Sequence, residues 1–354
     1  MDLLELEIDD EDIRMDKVDE AYENQEDLMH DIAAELDHRL YLYYKYHQWV
    51  GPKNDMKNML GLVITRQEFE HNLSKASEER LIDKCDNDEK SELKVIRDVV
   101  ENRLELTDSD AFPAIRLIRR FNLNFQERSV VFLSLLSENA DKYKRINGYL
   151  QDDVAKGTPG ISFVSDLFAD EKDIASMRRS FIERSPFLSL FDQDKLSKGL
   201  LGLKREVLTF LNGSEEVGNG FKLIKPSGEK KLFIREDIGR RIDAVFQIDN
   251  SAVMLSGRNG IGRSYQAERA ASDHGESCLI ADLSYSRDKI KMLMQADMLS
   301  RLFNAILIIK GIEEDEDGEK VPPGKELTEK LEELKPYRSP LFIITEKVQH
   351  LHLA

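Results

Sequence analysis

Apolar side chains recur along this chain at two periods, and the change from one to the other divides it. Met29, Ala33, Leu36, Leu40, Tyr43 and His47 fall at alternating steps of four and three, which places them on one helical face. His47 and the nearby Trp49 read as packing residues in that setting. Gly51-Pro52 ends the element, because proline cannot continue the hydrogen-bond ladder. Thr65-Arg66-Gln67-Glu68 has capping-box spacing and predicts a second helix, and Leu93, Ile96, Val100 and Leu104 line a third. Helices are predicted at 113–120, 125–138 and 141–151, joined by short turns, before Gly157-Thr158-Pro159-Gly160 breaks the chain. Three short helices with tight turns suit a winged-helix or helix-turn-helix module. Residues 171–210 read as helical again, with an interruption at Ser185-Pro186.

Beyond residue 250 the pattern changes to short, continuous apolar runs. Strands are predicted at 251–256, 278–281, 304–309 and 340–344, separated by helical stretches at 265–272, 286–302 and 325–335. Strands alternating with helices specify an α/β fold, a three-layer αβα core around a parallel sheet. The expected organisation is an acidic tail at 1–20, a helical region at 21–109, a winged-helix-like domain at 110–211, a linker at 212–240 rich in Gly, Asn and Ser, and the α/β core at 241–354.

Charge adjusts this picture locally. The 354 residues carry 51 basic and 68 acidic side chains, a formal net charge of −17, which excludes a uniformly basic nucleic-acid binder. Residues 1–37 hold sixteen acids against Arg14 and Lys17, so most of the excess sits in what reads as a solvated lead-in. Between 116 and 145, seven basic residues (Arg116, Arg119, Arg120, Arg128, Lys142, Lys144, Arg145) face only Glu127, Glu138 and Asp141. Two readings of that patch compete: contact with nucleic-acid phosphates, or a packing element whose arginines pair with acids elsewhere. No apolar run approaches the ~18 residues of a membrane span. Cys85 and Cys278 lie far apart and form no metal-spaced cluster, which points to a reducing cytoplasm.

The chemistry is concentrated at 257–264. Gly257-Arg258-Asn259-Gly260-Ile261-Gly262-Arg263-Ser264 follows a predicted strand and opens a helix, the context of a phosphate-binding loop. Glycines let backbone N–H groups approach phosphate, and the helix N-terminus adds favourable partial charge. Arg263 stands where the P-loop motif has lysine, a longer planar fork in place of a compact ammonium. Ser264 stands where a hydroxyl would hold Mg²⁺. The strand that should end in a metal-holding acid, 304–309, runs instead into Lys310-Gly311. A cation and a glycine at those positions predict binding of ATP or ADP without hydrolysis, with Lys310 pairing with phosphate directly. Thr345 or Glu346 sits where a polar residue could sense the terminal phosphate. The acidic loop 313–320 matches part of a calcium loop at Asp315, Asp317 and Gly318, but Gly324 stands where a bidentate glutamate is needed. His350 and His352 have no third ligand nearby and read as tail.

The stretches Phe121-Asn122-Leu123, Leu133-Ser134-Leu135-Leu136-Ser137-Glu138, Tyr143 and Ile146-Asn147-Gly148-Tyr149-Leu150-Gln151-Asp152-Asp153 resemble the winged-helix domain that precedes AAA+ modules in a group of bacterial ATPases. Those proteins include the ATPase component of extracellular contractile injection systems. The resemblance covers roughly residues 110–354 and implies an AAA+-like P-loop core, assembly or remodelling of protein complexes, and a ring oligomer. It places Gly257, Gly262, Arg263 and Ser264 in the nucleotide loop, where Asn259 and Gly260 are further candidate binding residues, Lys310 and Gly311 at the acidic positions, and Thr345 near the sensor. It also implies a fifth strand, an arginine finger and a helical lid, whereas the sequence runs only about ten residues past its fourth predicted strand. The expectation is therefore a degenerate module serving as scaffold or regulator, or a piece of a longer protein with a second, active module. An active ATPase with an unorthodox loop and a winged-helix nucleic-acid adaptor are the alternatives.

Overall fold

A computed structural model describes residues 17–46, 80–151, 153, 156–169, 178–179, 186–227, 236–314 and 319–347. Residues 1–16 of the acidic lead-in, His47, Trp49, Gly51-Pro52, the Thr65 capping box, residues 315–318 and the terminal histidines lie outside the described residues. The chain divides into two compact units, Met1–Lys204 and Arg205–Ala354.

The first unit is helical. α1 (Gln25–Tyr46) packs on α2 (Asn87–Leu106), α3 (Pro113–Arg120), α4 (Phe125–Asn139) and α6 (Ile161–Phe168), while α5 (Asp141–Leu150) pairs with α4. The helix starts follow local chemistry. Asp86 and Glu89 close a capping box at α2, Pro113 supplies the first residue of α3, and Asn124 with Glu127 closes a second box at α4. The regions expected separately at 21–109 and 110–211 thus interlock. Isolated antiparallel bridges join Gly160, the residue before α6, to Leu200, and Phe191 to Leu203. Of the helical stretch expected at 171–210, residues 171–177 and 180–185 lie outside the described residues; the described part holds a 3₁₀ turn at Pro186–Leu190, a single helical turn at Gln193–Leu196 and the helix Arg205–Leu211.

The buried face of α1 is rotated from the predicted stripe. Leu28, Ile32, Leu36, Leu40 and Tyr43 are buried, but Met29 and Ala33 are only half-buried. The difference has a cause: Asp27, Asp31 and Glu35 are buried in pairs with Arg103 and Arg128, and Arg39 is buried donating to Leu167 O with its guanidinium over the Phe125 ring.

The second unit is a mixed α/β structure. β1 (Phe221–Ile224), β2 (Ala252–Ser256), β3 (Cys278–Asp282), β4 (Ile306–Lys310) and β5 (Leu341–Thr345) form, among the described residues, a five-stranded sheet of order β1-β3-β4-β5-β2. β2 to β5 are parallel; β1 pairs antiparallel with β3. The stretch 212–240, expected as linker, therefore supplies an edge strand and the start of α8 (Glu236–Ala244). Four residues among Gly, Asn and Ser were too short a run to show periodicity.

α7 (Arg205–Leu211), α9 (Arg263–Asp273), α10 (Lys289–Leu302) and α11 (Lys325–Glu333) complete the unit. Alternation along the strands makes two cores. Cys278, Ile280, Ile306, Ile308, Phe342 and Ile344 face Ile242 of α8 and Ala267, Ala270 and Ala271 of α9. α10 packs on the sheet with α7 and α11 beside it, where Phe210 meets Phe303 edge-on at 5.5 Å. From β2 the chain crosses to β3 and then steps back through β4 to β5. Right-handed crossovers in opposite directions put α9 and α10 on opposite faces. Such a reversal opens a crevice at the carboxyl ends of the strands. No helix among the described residues is long and apolar enough to cross a membrane.

Candidate functional site

The connection from β2 to α9 is the glycine run. Its last residue, Gly262, is the N-cap of the 11-residue α9 at φ 86°, a left-handed conformation that glycine adopts without strain. Glycine there provides no side-chain cap, so the first-turn N–H groups and the positive end of the helix are available to an outside acceptor.

The loop opens on a cavity of about 430 Å³ at the carboxyl ends of the strands, lined by Asn259, Gly260, Gly262, Arg263, Ser264, Lys310 and Thr345 among others. The fold thus gathers seven of the eight residues nominated from sequence. Gly257 is not in the lining; its N–H donates to the Thr345 carbonyl at 3.2 Å and ties the loop to β5. Thr345 is buried, and its hydroxyl donates to Lys347 O at 2.7 Å rather than standing free as a sensor.

The two cations of the lining have different partners. Arg263 donates to the Thr345 carbonyl and, at 2.8 Å, to Asn259 Oδ1. Both acceptors are neutral and do not cancel its charge. Lys310 pairs in strand register with Asp282, and its Nζ lies 2.7 Å from Asp282 Oδ2. Asp282 also accepts from the Ser284 hydroxyl at 2.7 Å and the Ser284 N–H at 3.3 Å. Burial acts to raise the Asp282 carboxyl, but the bonds from Lys310 and Ser284 outweigh it and hold it below the ordinary aspartate range.

Gly311 belongs to the same arrangement. Its φ is 72°, and a Cβ there would stand 2.5 Å from Asp282 Oδ1 and 2.6 Å from Ser284 N. The position expected to activate water is glycine because the Asp282–Ser284 turn fills the space beside it. Sequence reading missed the pairing of Asp282 with Lys310. The signal was present: two parallel strands of equal length end in opposite charges.

Glu313, Glu314 and Glu346 complete the wall. The Glu346 N–H donates to Glu313 Oε2 at 2.8 Å, and Lys320 pairs with Glu346. Among the described residues no three His, Cys, Asp or Glu side chains are grouped to hold a metal ion.

In the first unit five of the seven basic residues of the patch have internal partners. Arg119 donates to Leu104 O at 2.6 Å, Arg120 pairs with Asp110 at 2.8 Å, and Arg128 pairs with Glu101 at 2.6 Å and Glu35 at 3.3 Å. Lys142 pairs with Asp37 at 2.5 Å and Lys144 with Asp141 at 3.7 Å.

Comparison with known proteins adds one finding. A family model described as "Winged helix domain, variant" matches residues 11–217. No curated protein and no solved structure matches the chain.

Proposed function

Because this chain belongs to the family described as winged helix domain, variant, which leaves most of the sheet-bearing unit without a role, we propose that this second unit is a degenerate P-loop module of AAA+ type. It binds ATP or ADP without efficient hydrolysis, and the chain serves as a structural or regulatory part of a larger protein-remodelling assembly. The observation that carries the reading is the uncapped, glycine-led N-terminus of α9 opening on a mononucleotide-sized cavity with Arg263 and Lys310 in its wall. The absence of turnover rests on Lys310-Gly311, an ammonium and a hydrogen where a P-loop ATPase needs carboxylates to hold the metal and orient water. The internal pairing of Arg119, Arg120, Arg128, Lys142 and Lys144 favours the packing reading of the first unit over the nucleic-acid one.

The test compares the full chain with Gly262→Asp, which forces a side chain and a negative charge into the loop. ATP and ADP should be retained in equilibrium dialysis by the wild type and not by the variant, with no phosphate released from ATP by either. Phosphate release that disappears in Gly262→Asp or Ser264→Ala would make the protein an ATPase and end the non-hydrolytic reading.

A further inference from the structure

The Asp282–Lys310 pair bears on which ligand the glycine loop takes, a question that rests on the nucleotide-binding reading of the site. A magnesium–nucleotide site needs a carboxylate free to meet the metal or its waters at the strand tips. Here the tip of β4 carries an ammonium, the carboxylate on the adjacent strand is already bonded to that ammonium and to Ser284, and Glu346, just past the tip of β5, is paired with Lys320. The arrangement is written into the backbone as well as the side chains. Gly311, left-handed at φ 72°, leaves the room in which Asp282 Oδ1 can lie against Ser284, since a Cβ would come within 2.6 Å of both.

The charges of the wall then limit the anion. Arg263 brings a positive charge whose acceptors are neutral, and Lys310 brings one that Asp282 partly cancels. Glu313, Glu314 and Glu346 line the same cavity. The cations are fewer than the carboxylates, so repulsion grows with each phosphate and a diphosphate meets less of it than a triphosphate. A third phosphate adds negative charge inside a wall that already holds those carboxylates, and only a divalent ion would offset it.

We propose that this site takes a nucleoside diphosphate without a divalent metal, with Arg263 and Lys310 supplying the counter-charge, and that Asp282 tunes affinity by holding Lys310 partly neutralised. The arrangement makes the module a reader of ADP that does not depend on magnesium.

The experiment measures ADP and ATP affinities of the full chain by competition against a fluorescent ADP analogue, in magnesium and in EDTA. The ADP Kd should change by less than about twofold between the two buffers, and ADP should bind at least about threefold tighter than ATP in EDTA. Asp282→Asn, which keeps the shape and removes the charge, should tighten ADP by about three- to tenfold, and Lys310→Met should weaken it at least about tenfold. Lys310→Asp should make binding magnesium-dependent. ADP affinity that rises tenfold or so on adding magnesium to the wild type, or a preference for ATP in EDTA, overturns the inference and leaves the nucleotide reading standing. No nucleotide binding in either buffer overturns both. If a variant fails to fold by circular dichroism, the wild-type comparisons decide alone.

Discussion

Asp27, Asp31, Glu35 and Arg39 step along α1 at intervals of four, a spacing that in sequence reads as a solvated stripe beside an apolar one. All four are buried. Arg103 reaches Asp27 at 2.7 Å and Asp31 at 2.6 Å while its guanidinium lies 4.1 Å from the centre of the Tyr22 ring. Arg128 joins Glu35 to Glu101. The partners lie 72 to 93 residues from the acids in the chain, so no local pattern could have revealed them. Glu35 is the strained member: its Oε1 is buried with no hydrogen bond. Burial raises its carboxyl above the usual range, opposed by Arg128 and then Arg39. For an acid whose folded pKa is raised, the contribution to stability is full below the unfolded value of about 4.3 and is lost as pH rises through the folded value. Glu35→Gln cannot ionise and escapes that loss. Its unfolding midpoint relative to wild type should therefore move in its favour as pH is raised from about 4 to 8 in denaturant titrations. A difference that is flat with pH would show that Glu35 is ionised at no cost.

Helices with strong end signals are legible in the sequence alone. Pro113 and Asn124 fix the starts of α3 and α4, and the predicted 113–120 and 125–138 agree with Pro113–Arg120 and Phe125–Asn139 to within a residue. The parallel strands are legible for a different reason, since burial on both faces makes each a continuous apolar run. β1 is not. It is a short edge strand whose partner, β3, lies more than fifty residues on. The stretch around Tyr149-Leu150-Gln151 lies within the matched winged-helix region, and Gln151 has a structural role there. Its Nε2 donates toward the carbonyls of Asn147, Lys156 and Thr158, and its Oε1 accepts from Gly160 N at 2.8 Å. One side chain thereby organises the connection from α5 to α6. Gln151→Ala leaves those partly buried groups without their partner and should cost about 1–3 kcal/mol in unfolding free energy, whereas an exposed control such as Glu92→Ala should cost about 0.5 kcal/mol or less.

At the scale of the molecule, the net charge of −17 conceals an uneven distribution. Some of the acidity counted as solvated lead-in is core of the first unit, and five of the seven patch cations have partners within that unit. Of the candidate site, the glycine loop between a strand and a helix and the Lys310-Gly311 strand end could be read directly from the residues. The Asp282–Lys310 pair needed the sheet order, because only β3 lying beside β4 brings those tips together. Both lines support the proposed reading of an anion seat that binds and does not turn over. Calorimetric titration of ADP into the full chain, with no divalent metal present, tests that claim most directly. Saturable heat with about one site per chain, abolished in Gly262→Asp, is the result that the cavity and its two cations predict. No heat and no shift in thermal stability at millimolar ADP would contradict it.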